Sequence, residues 1–275
     1  MQTASKINPA QVGRSLRILI VDDDPLGRSL MEAMLSPHGY QLDFACDGQE
    51  ALQAIETRPY DLVFMDLVLP DINGRDVCRQ VRLWEAGQSH LPIVAVTAYD
   101  MPGQPIELAK AGMDDYIFKP YDGRSLTRMI QIYAVGDGTG ASNSSGQPVQ
   151  MLDAPVLDTA GPVQDFSGDV EAYAVILRDF VASLPVRLGK MRDARAAGNY
   201  EALGREAHSL KGISAGLGAG ALSRMASQLN KSCADSGRAS VDDLLGQVER
   251  GMEEVRSEAR AFLASTQAQS GLGAG

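Results

Sequence analysis

The chain has 275 residues, with 25 Lys and Arg against 35 Asp and Glu and a formal net charge of −10. That length holds one large domain or two modest ones, either of which buries enough surface for a real core. The acid surplus argues against nucleic acid and anionic membranes as partners, and 44% hydrophobic with 22% charged residues is the balance of a folded globular chain.

The first fifteen residues lack an apolar signal-like core. The longest apolar runs, at 18–21, 62–65 and 93–96, are far too short to span a bilayer, so a cytoplasmic location is expected. From 16 to 134 short apolar runs alternate with amphipathic stretches; this segment carries 10 basic and 18 acidic residues, net −8. The runs cover 17–21, 41–45, 62–65, 92–96 and 116–118. Asp24-Pro25, Asp47 and Asp122 mark helix starts, Asp as N-cap and Pro at the first helical position. Five strands alternating with helices predict an α/β domain over 16–135, a doubly wound five-stranded parallel sheet.

Residues 136–165 are rich in Gly, Ser and Pro and read as a flexible linker. Beyond them no strand signal survives. Tyr173, Ile176, Leu177, Phe180, Leu184, Leu188 and Met191 recur at helical spacing, with Pro185 expected to kink or split the segment. Val241, Leu244, Leu245, Val248, Met252, Val255 and Phe262 repeat the pattern. An all-α helical bundle is predicted over 166–264, followed by a disordered tail at 265–275. Cys46, Cys78 and Cys233 form no C-x-x-C pair and fit the reduced thiols of the cytosol.

In a doubly wound sheet, ligands bind beyond the carboxyl ends of the strands. There the first run ends in Asp22-Asp23-Asp24, the third in Asp66, the fourth in Thr97 and the fifth in Lys119-Pro120. Asp24, beside Pro25, reads as a cap rather than a ligand. Clustered carboxylates stay ionised only with a cation among them, and hard oxygen donors suit Mg²⁺. An Asp at mid-sheet is a candidate nucleophile, and a Lys beside it suits a phosphoryl oxygen.

This first segment resembles the receiver domains of two-component response regulators, through ILIVDDD at 18–24, DLVFMDLVLPDINGRDV at 61–77, IVAVTAYD at 93–100 and AGMDDYIFKP at 111–120. The resemblance implies a flavodoxin-like fold with Asp66 as phosphoacceptor. It makes Asp23 a direct Mg²⁺ ligand, Asp22 an acid acting on the metal through water, and the Val68 carbonyl a further ligand. Lys119, ahead of a cis Pro120, would pair with the phosphoryl group, Thr97 would hydrogen-bond it, and Tyr116 would be the switch aromatic. Val68 and Tyr99 would flank the phosphoryl group and slow attack by water.

Of three histidines, His38 and His90 read as exposed loop residues, while His208 sits within YEALGREAHSLKGISAGLGA, a predicted helix capped by Asn199. At 100° per residue Leu203, Leu210, Ile213 and Leu217 cluster opposite His208, which turns it toward water. Gly204, Arg205, Lys211, Gly212 and Ala215 share its face, giving small neighbours and two cations. A neutral imidazole there is a competent nucleophile. The segment resembles histidine phosphotransfer (HPt) domains, through His208-Ser209-Leu210-Lys211-Gly212 and Leu217-Gly218-Ala219, with Ile213 in place of the small residue common after the glycine. The resemblance makes His208 the phosphorylated residue and Lys211 its assistant.

Together the two resemblances imply a phosphorelay protein rather than a conventional enzyme. No kinase ATP-binding motif and no basic recognition helix stands in the sequence. The expected partners are an upstream sensor histidine kinase and a downstream response regulator receiver. The alternatives are a phosphorylation-controlled binding switch, a phosphate sink, or a Mg²⁺-dependent phosphatase working through an aspartyl phosphate.

Overall fold

The apolar runs become five parallel strands. A computed structural model describes residues 15–85, 89–97, 104–135, 155–234 and 240–272, which fall in two units divided between Gln147 and Pro148. In the first unit β1 (Arg17–Val21), β2 (Gln41–Ala45), β3 (Leu62–Asp66), β4 (Ile93–Thr97) and β5 (Asp115–Phe118) lie in the order β2-β1-β3-β4-β5. The intervening helices are α1 (Pro25–Leu35), α2 (Gly48–Thr57), α3 (Gly74–Glu85), α4 (Gln104–Lys110) and α5 (Gly123–Ile130), the last extended by a π turn at Gln131–Val135. The α/β prediction holds, and the expected strand ends differ by one residue at three of the five runs.

The strands β3 and β4 are buried at every position because helices cover both faces of the sheet. Leu19, Val21, Val63, Met65 and Ala95 pack on Ala51, Val77, Val81 and Leu108. On the alternate residues, Ile18, Ile20, Phe64 and Val94 are likewise buried, under the side carrying α1 and α5. The edge strand β2 is more exposed. The three expected caps form: Asp24 accepts from the Leu26 N–H at 2.9 Å, Asp47 from Glu50 at 2.7 Å and Asp122 from Ser125 at 2.7 Å. These caps start α1, α2 and α5 at the carboxyl edge of the sheet.

The second unit is helical: α6 (Ala160–Asp165), α7 (Val170–Ala196), α8 (Tyr200–Gly216), α9 (Gly220–Ala234) and α10 (Val241–Leu272). The last four pack in a ring, α7 on α8, α8 on α9, α9 on α10 and α10 on α7. Tyr173, Phe166 and Phe262 meet edge to face at 5.6 Å, and the Tyr173 hydroxyl donates to the Leu217 carbonyl at 3.0 Å. Asn199 caps α8 as expected, accepting from Ala202 at 3.0 Å.

Three expectations change. Pro185 lies inside α7 without ending it, because burial of Phe180, Leu184 and Met191 on either side holds the flanking turns in one helix. Residues 160–165, assigned to the linker, form α6, and the chain before it is tied down by the Asp158 N–H donating to the Gly218 carbonyl at 3.0 Å. Residues 265–272, assigned to a disordered tail, continue α10. The linker at 136–154 lies outside the described residues.

Two glycines are sterically required. A Cβ on Gly74 would lie 2.2 Å from the Asp66 carbonyl oxygen, and one on Gly218, at φ +82°, would lie 1.8 Å from the Asp158 carbonyl oxygen. Backbone atoms cannot swing aside as a side chain does, so Gly74→Ala is expected to cost about 1–3 kcal/mol of first-unit stability in urea unfolding, with displacement of the β3 end.

Candidate functional site

The topology reverses between β1 and β3: the chain leaves β1 toward β2 on one side and reaches β3 on the other. Side chains at these two carboxyl ends therefore look into one crevice, the switch point of a doubly wound sheet. Asp22 and Asp66 occupy it, 4% and 2% exposed, with Asp23 half-buried beside them. One carboxylate oxygen from each of the three lies within 4.8 Å of the others.

Lys119 enters from the end of β5, where the Lys119-Pro120 peptide is cis, as the resemblance implied. Its Nζ donates to Asp22 Oδ2 at 2.7 Å and to Asp66 Oδ2 at 2.6 Å. The remaining oxygens are held by backbone amides: Asp24 N–H donates to Asp22 Oδ1 and Val68 N–H to Asp66 Oδ1, both at 2.9 Å. Burial works against the Lys119 charge, but two flanking carboxylates outweigh it and raise its pKa well above the ordinary value. Each carboxylate has only a share of that one ammonium. Burial, reinforced by Asp66, therefore lifts Asp22 despite Lys119. Asp23 lacks a direct cation, and burial followed by the Asp22 and Asp66 charges pushes it to about 6.

Thr97 closes the crevice at the end of β4, 1% exposed, its carbonyl accepting from the Lys119 N–H at 2.7 Å. Tyr116, half-buried on β5, stacks edge-on against Phe118 at 5.0 Å. Val68 is half-exposed at the mouth; Tyr99 lies outside the described residues. Asp24 is a cap, as read. Sequence reasoning passed over Tyr121, buried beside Lys119, whose phenol burial keeps protonated. The residue carries no motif signal of its own and is found only once the chain is folded.

In the second unit, Leu203, Leu210, Ile213 and Leu217 are buried on the inner side of α8, as the helical wheel predicted. His208 is half-buried rather than open to water, and its Nε2 is covered. The reason is α9. A Cβ on Gly204 would lie 3.4 Å from Asn230 Oδ1 and Cys233 Cβ, so Gly204 forms the seam between α8 and α9, and His208, one turn on, lies along it. Gly204 therefore serves helix contact and not an open approach. Lys211, Gly212 and Ala215 are half-buried along the same side. Ser209, next to the histidine, accepts from Arg187 NH1 at 3.0 Å, a buried guanidinium that no motif announced.

His90 also departs from its reading as an idle loop residue. Its ring lies 2.6 Å from Asp114 and 3.3 Å from Glu85, and Arg82 bridges the same two acids at 2.8 and 2.6 Å. This clamp ties α3 to the starts of β4 and β5, at the sheet end remote from Asp66.

Two family models match: the response regulator receiver domain over residues 18–131 and the Hpt domain over residues 175–258. The sensor histidine kinase GacS of Pseudomonas protegens is 31% identical over 90% of this chain and 27% of its own length. The signal transduction histidine-protein kinase BarA of Escherichia coli K12 is 26% identical over 72% of this chain and 22% of its own. The chain thus spans about a quarter of the length of these curated relatives. Among solved structures, the receiver domain of sensor histidine kinase PA1611 from Pseudomonas aeruginosa PAO1, with a magnesium ion in its active-site cleft, is 35% identical over 44% of this chain and 98% of its own, at a TM-score of 0.41. Among the described residues no helix is long and apolar enough to cross a membrane.

Because the folded pKa of Asp23 lies near 6, above the ordinary 3.8, the folded chain holds more protons than the unfolded one between about pH 4 and 6. The group therefore costs stability as pH rises through that window, and the cost is complete above it. Without divalent cation at pH 7, Asp23→Asn is expected to raise stability by about 1 kcal/mol after solvent screening, seen as a higher melting temperature. An unchanged or lower value refutes this account of the crevice.

Proposed function

We infer that this chain, a response regulator receiver domain followed by an Hpt domain, passes phosphoryl groups between Asp66 and His208 within a phosphorelay. Phosphorelay signalling follows from the two modules. The order of transfer and the role of each residue are our reading. The observation that carries it is Asp66 held 2.6 Å from the Lys119 ammonium in a crevice with two further carboxylates.

Three carboxylates sharing one lysine leave excess negative charge in a buried place, and hard oxygen donors of that kind fit Mg²⁺. Asp22, Asp23, Asp66 and the Val68 carbonyl would hold the ion, which would neutralise phosphoryl oxygens and orient the group. A partner phosphohistidine delivers phosphorus to an Asp66 carboxylate oxygen; the donor's P–N bond breaks as the O–P bond forms. The Val68 N–H holds the other Asp66 oxygen and so aims the nucleophile. Lys119 moves one of its hydrogen bonds from carboxylate to phosphoryl oxygen, and the Thr97 hydroxyl donates to another. Catalysis of this kind is positioning plus charge neutralisation. Tyr116 responds by turning inward.

In the second step the His208 imidazole attacks phosphorus, the O–P bond to Asp66 breaks and its electron pair returns to the carboxylate. Lys211 offsets the charge of the arriving group. The phosphoryl group then passes to the aspartate of a downstream receiver. An upstream sensor histidine kinase is the donor, and the chain works as a cytoplasmic phosphotransfer protein rather than an enzyme with its own substrate. A hydrolase of this chemistry would want a further acid where Val68 stands, and a plain phosphate sink or binding switch would make no use of the transfer motif around His208.

Acetyl phosphate with Mg²⁺ is expected to label the chain. Base-labile label should vanish in Asp66→Ala. Acid-labile label, and transfer to a separate receiver, should vanish in His208→Gln. Labelling and onward transfer that survive His208→Gln intact refute the relay.

A further inference from the structure

In a chain of net charge −10, residues 207–234 contain Lys211, Arg224 and Lys231 and no acid, between Glu206 and Asp235. The helix α10, by contrast, carries six acids against three arginines. Charge within the bundle is therefore segregated by helix.

The packing of α8 against α9 gathers those cations. The Ser223 hydroxyl donates to the Lys211 carbonyl at 2.9 Å, and at the other end Gly204 faces Asn230 and Cys233. Antiparallel helices in that register place His208 level with Ala226 and Ser227, midway along the seam. Arg224 then stands level with Lys211, and Lys231 level with Arg205. Leu222, Ala226 and Leu229 are buried on the inner side of α9, while Arg224 and Lys231 are exposed on the outer. Arg205 is joined to Glu201 at 2.7 Å. Four cations thus bracket His208, two from each helix. Like charges held together on a surface repel, and an anionic partner relieves that repulsion while being drawn in faster.

We propose that this face of α8 and α9 recognises its receiver by charge. It takes a receiver domain whose phosphoacceptor crevice is rimmed by carboxylates, with Arg224 and Lys231 as specificity determinants that touch neither phosphorus nor His208. The inference rests on the relay reading and names the partner that reading leaves open. The receiver of this same chain has the matching chemistry: its net charge over 16–134 is −8, and Asp23, Asp71 and Asp122 stand in the loops beside Asp66. Asp71 is exposed and caps α2, accepting from the Gly48 and Gln49 N–H groups at 2.8 and 2.9 Å. Asp122 caps α5. A complementary pair of this sort acts mainly on association rate and is screened by salt.

The test uses two full-length forms in trans. The donor is His208→Gln, charged on Asp66 with acetyl phosphate and Mg²⁺ and freed of excess reagent; the acceptor is Asp66→Asn, read as acid-labile label on His208. Adding Arg224→Glu and Lys231→Glu to the acceptor is expected to slow transfer about tenfold at about 50 mM salt and to flatten its salt dependence. Arg224→Lys with Lys231→Arg should restore both, and labelling of His208 by phosphoramidate should be the same in all forms. Equal rates and equal salt slopes in the charge-reversed and parent acceptors overturn the proposal while leaving the relay intact. Loss of retention on duplex DNA without loss of transfer assigns the face to another occupant and overturns it as well. No transfer even to the parent acceptor overturns the relay order and this inference with it.

Discussion

The Lys119 ammonium, donating to Asp22 at 2.7 Å and Asp66 at 2.6 Å, is the contact around which the first unit is arranged. Two buried carboxylates cannot stand together in a low-dielectric crevice without a cation, and removing one partner of such a group is far costlier than never building it. Three strands must therefore end at one place: β1 and β3 as neighbours and β5 two strands beyond β3. The glycine at 74, whose Cβ would strike the Asp66 carbonyl, and the caps at Asp24 and Asp122 all serve the same edge of the sheet.

One ammonium does not balance three acids. The residue is visible in Asp23, which burial and its neighbours push to about 6. A site that holds its own charges in imbalance is stabilised by whatever brings positive charge, and strained by whatever brings negative charge alone. For phosphoryl chemistry that is a useful state: the group arrives as an anion, and Lys119 already stands at bonding distance from the nucleophile. The second unit meets the same problem differently. His208 is uncharged as a nucleophile and needs no counterion, so α8 and α9 supply small residues and cations around it and leave the carboxylates to α10.

Much of the first site is legible without a structure, because strand-end residues are read directly from apolar runs: a run that stops at Val21, Met65, Val96 or Phe118 delivers the next polar side chain to the crevice. The helix caps are legible for a similar reason, being local hydrogen bonds between residues two or three apart. Failures occur where distant segments meet. Pro185 breaks a helix on local grounds alone, yet packing of Phe180 and Leu184 keeps α7 whole. His90 looks idle until Glu85 and Asp114, 24 residues away in the case of Asp114, close on it. The wheel of α8 placed its apolar stripe correctly but turned Gly204 and His208 toward water, since one helix carries no trace of the neighbour that will cover it.

The amino-acid order by itself determined the strand and helix periods, the division into an α/β and an all-α unit, and the residue types at each chemical position. These depend on side-chain pattern and short-range hydrogen bonding. Only the tertiary structure decided that one lysine is shared by two carboxylates, that Asp23 is left without a direct cation, that His208 lies in a seam rather than on an open face, and that the cations of α8 and α9 come together around it. Each of these depends on distances between residues far apart in the chain, and electrostatic energy is set by those distances and by burial, which periodicity does not encode.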